Sequence, residues 1–229
     1  MNNLFFLALL FLTQITSAFK LPDYLPGTGN KYFLQTNKEK AEIQIIVISK
    51  TENSLVLEIK SSLKAGFLPT ELIQRFELQK KGKEIVLGKG YVYSPILGEN
   101  TYKLAPEYLK GYDGVEMASF LGSELDPRFK KVGSASVKTK EGKVPSTQYE
   151  FSENGQKIEF WLSSKIKPIP LAALRSTGSK SSQNYVLGYD GPIENYKSPI
   201  NPSSAIPMND QLKSMLPKPT GKKKSLLLP

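Results

Sequence analysis

The sequence predicts an all-β protein with minor α content, built as one antiparallel domain over residues 19–200. Three observations carry that prediction. Apolar residues recur at every second position in short segments. Turn-forming residues separate those segments at close spacing. No segment sustains a 3.6-residue apolar period, and no repeat of 20–50 residues is evident.

The first 18 residues stand apart from the fold. Leu4–Leu12 is an uninterrupted apolar run, followed by polar residues and then Thr16-Ser17-Ala18. Small side chains one and three residues before a cut mark a secretory signal peptide, cleaved after Ala18. The opening Met1-Asn2-Asn3 adds no Lys or Arg, so only the terminal amine supplies positive charge. An anchor helix is the other reading, but a bilayer span needs about 20 apolar residues and this run is shorter. No cysteine stands where a lipid would be attached.

Residues 19–30, rich in Pro and Gly, read as an extended arm. "AEIQIIVIS" then alternates through Ile43, Ile45 and Val47, while Ile46 and Ile48 make its second half apolar on both faces. "SLVLEIKSSL" alternates through Leu55, Leu57 and Ile59, and Thr51-Glu52-Asn53 between the two marks a hairpin. Lys81-Gly82 joins "LIQRFELQ" to "EIVLGKGYVYS" in a second hairpin. Residues 94–131 are less regular, with a short helix starting at Pro106 and a turn at Asp113-Gly114. Three more strands follow, broken at Glu141-Gly142 and Asn154-Gly155. From Pro192 onward prolines are frequent, and residues 201–229 read as a Pro/Lys-rich tail, partly disordered beyond Met215.

Asn154-Gly155 sets a register. A two-residue type I′ turn there places Ser152 opposite Lys157, Phe151 opposite Ile158, Glu150 opposite Glu159, Tyr149 opposite Phe160 and Gln148 opposite Trp161. One face then carries Tyr149, Phe151, Ile158, Phe160 and Leu162, all apolar or aromatic. The other carries Gln148, Glu150, Lys157, Glu159 and Trp161. A slip of one residue would mix the two sets.

Composition excludes several chemistries. The chain has no cysteine and no histidine, which removes disulfides, catalysis through either residue, and ordinary zinc sites. Without disulfides the core must hold the fold, and about 210 residues can bury roughly 70% of their unfolded surface. This combination points to an exported protein of a bacterial envelope, in the periplasm. The net charge of +10 favours anionic partners. The lysines are dispersed, adjacent only at 80–81, 130–131 and 222–224, which suits solubility better than recognition. An anionic membrane surface stays open as a partner; nucleic acid is not expected. No phosphate-cradling glycine loop occurs, and no cofactor or metal is expected.

Two constellations look chemical. Glu150 and Glu159, directly opposed, could share a proton or bind a cation, but Lys157 is placed to neutralise them. Ser61/Lys64 and Ser164/Lys167 have the spacing of a Ser/Lys nucleophile pair. That chemistry needs the serine at a helix start, and both lie at strand ends or turns. No catalytic residue is assigned.

The stretches "VGSASVKTKEGKVPSTQYEF", "IEFWLSSKIKPIPLAALRSTG" and "NYVLGYDG", about residues 132–190, resemble the LolA/LolB-like half-barrel carriers of the periplasm. That resemblance implies a strongly curved antiparallel sheet, an open half-barrel around an apolar hollow, with short helices or loops over one side. It implies a non-enzymatic role: binding or carrying a lipid or acylated envelope molecule. The candidate ligand-binding residues are Tyr149, Phe151, Ile158, Phe160 and Leu162, with Ile166 and Ile169 beside them. Pro168 and Pro170 cannot donate to a ladder, so the basic segment 163–170 must leave the sheet as a stiff corner. Ile166 and Ile169 would then cover the mouth of the hollow while Lys165 and Lys167 face solvent. In a sandwich the same aromatic stripe would be packed core, and the protein would be an interaction protein binding an anionic polymer or partner through its basic surface.

Overall fold

The computed structural model describes residues 25–36, 40–51, 53–65, 68–81, 84–110, 129–153, 155–178 and 184–215. Residues 1–18, expected to be a signal peptide, the expected turn at Asp113-Gly114, Asn154 and the last part of the tail lie outside them.

The strands are β1 (Thr28–Thr36), β2 (Lys40–Lys50), β3 (Ser54–Ala65), β4 (Leu68–Lys81), β5 (Glu84–Tyr93), β6 (Thr101–Lys103), β7 (Lys130–Thr139), β8 (Gly142–Glu153), β9 (Gln156–Leu162), β10 (Leu171–Gly178), β11 (Tyr185–Ile193) and β12 (Ile206–Pro207). Two short helices accompany them, α1 (Pro106–Lys110) and α2 (Asp210–Met215). The strands form one sheet in the order β12-β6-β5-β4-β3-β2-β1-β11-β10-β9-β8-β7. Its ends do not pair with each other, so the sheet is open. All neighbours are antiparallel except β12 and β6, which run parallel.

The sheet is strongly curved. The tip of the β7–β8 hairpin lies three to four strand spacings from β11, roughly 14–19 Å along a flat sheet. Yet Lys140 Nζ reaches Asp190 Oδ1 of β11 at 2.5 Å. Curling brings Val137 and Val144 of that hairpin onto the same apolar cluster as Tyr189.

The hairpins read from turn residues are present. The β8–β9 ladder has the expected register at every pair from Gln148–Trp161 to Ser152–Lys157. Gly155 has φ +76°. A Cβ there would meet nothing within 4 Å, so only the backbone conformation selects glycine. Gly90 is glycine for space: a Cβ would lie 2.7 Å from Leu104 and 2.8 Å from Leu109 of α1, which close over the inner face at that point.

The inner face holds the main core. Alternation puts Tyr32, Leu34, Ile43, Ile45, Leu55, Leu57, Ile59, Phe76, Leu78, Phe160, Leu174 and Leu187 into one buried cluster. The outer face carries a second, smaller one. There Ile73, Tyr91 and Ile200 pack together, with Tyr93 and Ala205 against them. Ile200 and Ala205 belong to the extended segment after β11, which crosses the outer face of the sheet. It is held by a buried ion pair: Arg75 Nε donates to Glu58 Oε1 at 2.7 Å, and Glu58 is fully buried. Arg75 Nη2 donates onward to Ser198 Oγ at 2.8 Å and to the carbonyl of Ile200 at 3.1 Å. Ser198 Oγ in turn donates to Glu58 Oε1. Burial first, then the charge of Glu58, holds the Tyr196 phenol well above its ordinary pKa.

The domain therefore runs past residue 200. Asn201 N donates to Thr101 Oγ1 at 3.0 Å, β12 extends the sheet beyond β6, and the backbone N–H of Ala105 donates to Met208 Sδ. Met208 and Leu212 enter the inner core, Leu212 fully buried. Two prolines within the strap, at 202 and 207, made this segment look unstructured in sequence.

Two outcomes test this architecture. Arg75→Ala leaves Glu58 charged, buried and uncompensated, and should cost about 3–5 kcal/mol in urea unfolding, while Arg75→Met with Glu58→Leu should recover much of it. Gly155→Val should cost roughly 1 kcal/mol or more, because a β-branched residue resists positive φ. An unchanged thermal midpoint in Gly155→Val would contradict the turn geometry.

Candidate functional site

The inner face is organised as rungs that cross the sheet. Tyr149 pairs with Phe160, Phe160 with Leu174, Leu174 with Leu187, Leu187 with Leu34 and Leu34 with Ala41. Because side chains alternate along a strand, every member of this rung faces the same side. The next rung runs Phe151, Ile158, Ser176, Tyr185. The two together form a wall that is aromatic at the β8 end and aliphatic towards β1.

All seven candidate residues fall in or against the one inner cluster. Their burial is uneven. Ile158, Phe160, Leu162, Ile166 and Ile169 are buried, whereas Tyr149 and Phe151 on β8 are only partly buried. Tyr149 stacks on Phe160 with centroids 5.3 Å apart and planes at 12°. Phe129 meets Phe160 edge-on at 5.1 Å and Phe151 at 5.5 Å. Such offset and edge-to-face pairs add to what area burial alone provides. Phe129 was not singled out in sequence; it stands just before β7, in the stretch that looked irregular.

The corner at 163–170 sits as its sequence requires. Ser163 N donates to the carbonyl of Pro170 at 2.7 Å, closing its base, and Ser163 Oγ donates to the carbonyl of Pro145. Ile166 and Ile169 point into the inner cluster, and Lys165 and Lys167 are exposed. Asn30 Nδ2 of β1 donates to the carbonyl of Ile169 at 2.5 Å and to the Tyr32 hydroxyl at 3.2 Å, tying the corner over that end of the wall.

Among the described residues, the buried polar groups on the inner face are neutral. Gln156 Nε2 donates to Ser176 Oγ at 2.7 Å. Tyr185 lies beside Ser176, and burial pushes its phenol up to about 12. Tyr189 meets Tyr32 edge-on at 6.2 Å and is likewise pushed up to about 12, by burial and then by Glu141. A third rung crosses the other half of the sheet: Asn30, Ile45, Ile59, Gln74, Val92, Tyr102. Asn30 and Gln74 are each buried within it, and neither Asn30 Oδ1 nor Gln74 Nε2 has a hydrogen-bond partner.

The chemical-looking features are accounted for by pairing and position. Glu150 and Glu159 stand opposite each other, and Lys157 Nζ bridges them at 3.1 and 3.3 Å. Their hydrogen bonds and charge raise the Lys157 pKa. Trp161 lies on the same face under the Arg175 guanidinium, 5.8 Å from the ring centroid. Ser61 Oγ donates to the carbonyl of Leu72 from the middle of β3, and Ser164 sits exposed in the corner. Neither serine stands at a helix start.

No known family matches the chain, and no curated protein sequence does. Solved structures match it by shape. The hypothetical protein CT021 from Chlamydia trachomatis superposes with a TM-score of 0.47 at 8% identity, over 81% of this chain and 93% of that one. A chain of the Pseudomonas aeruginosa MucA/MucB complex gives 0.40 at 11% identity, over 93% of this chain and 60% of that one. A domain described as outer membrane lipoprotein-sorting, from Vibrio parahaemolyticus, gives 0.36 at 10% identity, over 85% of this chain and 94% of that one. The last is of the class that residues 132–190 resemble in sequence. At these scores the superpositions say nothing of ligand or partner.

The uneven burial of the wall has a measurable consequence. Phe160→Ala removes a buried ring packed against Tyr149 and Phe129 and should cost about 3–5 kcal/mol. Tyr149→Ala, at the exposed margin, should cost clearly less. Equal losses in thermal or urea unfolding would mean that β8 is packed as tightly as β9.

Proposed function

We propose that this chain is a non-enzymatic exported protein of the bacterial envelope, which binds or carries a lipid or acylated component against the concave face of its sheet. The observation that carries the reading is the aromatic margin on β8. Tyr149 and Phe151 are only partly buried while continuing, in register, a wall of Phe160, Ile158, Leu174 and Leu187. An apolar face that opens at one margin of an unclosed sheet suits an acyl chain, which needs contact area and few polar partners. Tyr149, Phe151, Ile158, Phe160 and Leu162 are its contact surface, with Ile166 and Ile169 covering one end. Export and a periplasmic location rest on the leader-like segment 1–18.

A second reading has one observation in its favour. β7 ends the sheet and presents exposed Lys130, Lys131 and Lys138 along it. An anionic polymer or a protein partner could dock there, the inner face being plain core.

Mass spectrometry of lipids co-purifying with the mature protein from an envelope fraction separates the two. The carrier reading expects a defined set of acylated species, displaced in Phe151→Asp, a variant at the accessible margin that should still fold. Protein free of lipid, with salt-sensitive capture of an anionic polymer, would replace it with the second reading.

A further inference from the structure

We propose that Gln74 is a hydrogen-bonding anchor for a neutral linkage, the ester or amide carbonyl at the head of an acyl chain, within the inner face. This rests on the carrier reading above and adds a ligand class to it.

The starting point is a break in pattern. Along β4 the inner-face positions are Leu72, Gln74, Phe76 and Leu78. A leucine at 74 would suit that phase, yet the residue is a primary amide. It is 1% exposed, flanked on its rung by Ile59 and Val92, and its Nε2 meets no acceptor. A buried amide N–H without a partner costs about 1–3 kcal/mol, which an apolar side chain would avoid. Nothing in the packing asks for it.

Three strand spacings along the same rung, roughly 14 Å by the arc, lies a complementary group. Asn30 spends both of its N–H donors on the Tyr32 hydroxyl and the carbonyl of Ile169, so its side chain is oriented, and its Oδ1 acceptor is left unpartnered. The inner face thus offers a donor at Gln74 and an acceptor at Asn30, with Ile45 and Ile59 between them. A carbonyl would accept from Gln74. A hydroxyl or N–H further along the same ligand would donate to Asn30 Oδ1.

Charge decides the class. The buried charged residues described are Glu58 and Arg75, and they neutralise each other on the outer face. Among the described residues the inner face presents no buried cation to a carboxylate, whose desolvation would then go uncompensated. A free fatty acid is therefore disfavoured against the same chain on an ester or amide. Glycerolipids and acylated peptides share that linkage.

The test uses full-length mature protein, delipidated, with diphenylhexatriene as a probe that is hydrocarbon only. Monopalmitoylglycerol, a palmitoylated pentapeptide and palmitate compete for it. Gln74→Leu should keep or raise the thermal midpoint and keep diphenylhexatriene binding. It should weaken the ester or the amide competitor by roughly ten-fold, and leave palmitate, the weakest on wild type, little changed. Which of the two neutral competitors binds wild type better names the source. Competition unchanged in Gln74→Leu, or palmitate strongest on wild type, overturns the anchor while the carrier reading stands. Failure of diphenylhexatriene to bind wild type removes both. Loss of folding in Gln74→Leu and in Gln74→Met alike would make the amide structural and also overturn the anchor.

Discussion

The structure depends on one long-range ladder, between β1 and β11. The order of strands places β2 to β6 on one side of this pair and β10 to β7 on the other. Each flank is a run of local hairpins that could form alone. Only the pairing of residues near 30 with residues near 190 makes them one sheet. Leu34 opposite Leu187 and Tyr32 opposite Tyr189 bring the inner phase of one flank into line with that of the other. A slip of one residue here would turn a whole flank's apolar set to solvent. The ladder also has a bulge: Lys31 pairs with Gly191 and Tyr32 with Tyr189, which leaves Asp190 as the extra residue. That residue takes the ion pair from Lys140 and pins the curled edge of the sheet. One residue before the bulge pair, Asn30 ties down the corner at Ile169. Joining, curvature and cover of the inner wall meet within four residues of β1.

The outer face answers a different constraint. An open sheet of this width has two faces, and a chain with no cysteine has no covalent means to cover the second. The strap after β11 does so for β3 to β5, at the cost of burying Glu58 and Arg75. An apolar pair of similar volume would hold the strap as well, since desolvation consumes most of what a buried ion pair contributes. What the charges add is direction. The guanidinium fork has its donors fixed in a plane, and it reaches Ser198 and the Ile200 carbonyl only when the strap lies at one position along the sheet. From there the chain reaches the β6 edge in step and delivers Met208 and Leu212 to the inner core.

What could be read in the sequence was what local chemistry encodes. Asn154-Gly155 fixed both turn and register because a type I′ turn has room for one pairing only. The isoleucines and lysines of the 163–170 corner sorted themselves by polarity, and the structure sorts them the same way. The β1–β11 ladder was out of reach, since no local signal names a partner about 160 residues away. The strap was hidden for a related reason. Glu58, Arg75 and Glu77 look like an ordinary solvated face until something from elsewhere covers it. One trace was visible: Ile46, apolar on the outer phase of β2, is fully buried, and its pairing with Glu58 puts it at the covered patch. Gln74 left a trace too, as a polar residue in the apolar phase of β4, but alternation treats one such break as noise. Only its burial without a partner gives the break meaning.

The two halves of the inner face differ in what packs them. On the β8–β10 side the packing is aromatic: Phe160 has Tyr149 and Phe129 on its ring, and Gln156 spends a donor on Ser176 while its Oε1 stays without a partner. Such a surface gains contact area and little specificity from any apolar chain laid along its margin. On the β1–β5 side the aliphatic rung is broken twice by amides that the protein itself leaves incompletely bonded. At Gln74 an apolar residue would avoid the cost of the unmet group, whereas Asn30 offsets its own by fastening the corner at Ile169. Departures of this kind persist where stability is not the only quantity under selection. A more stable protein after replacement of the amide would show that packing does not require it, and the change in competitor binding then decides whether a ligand does.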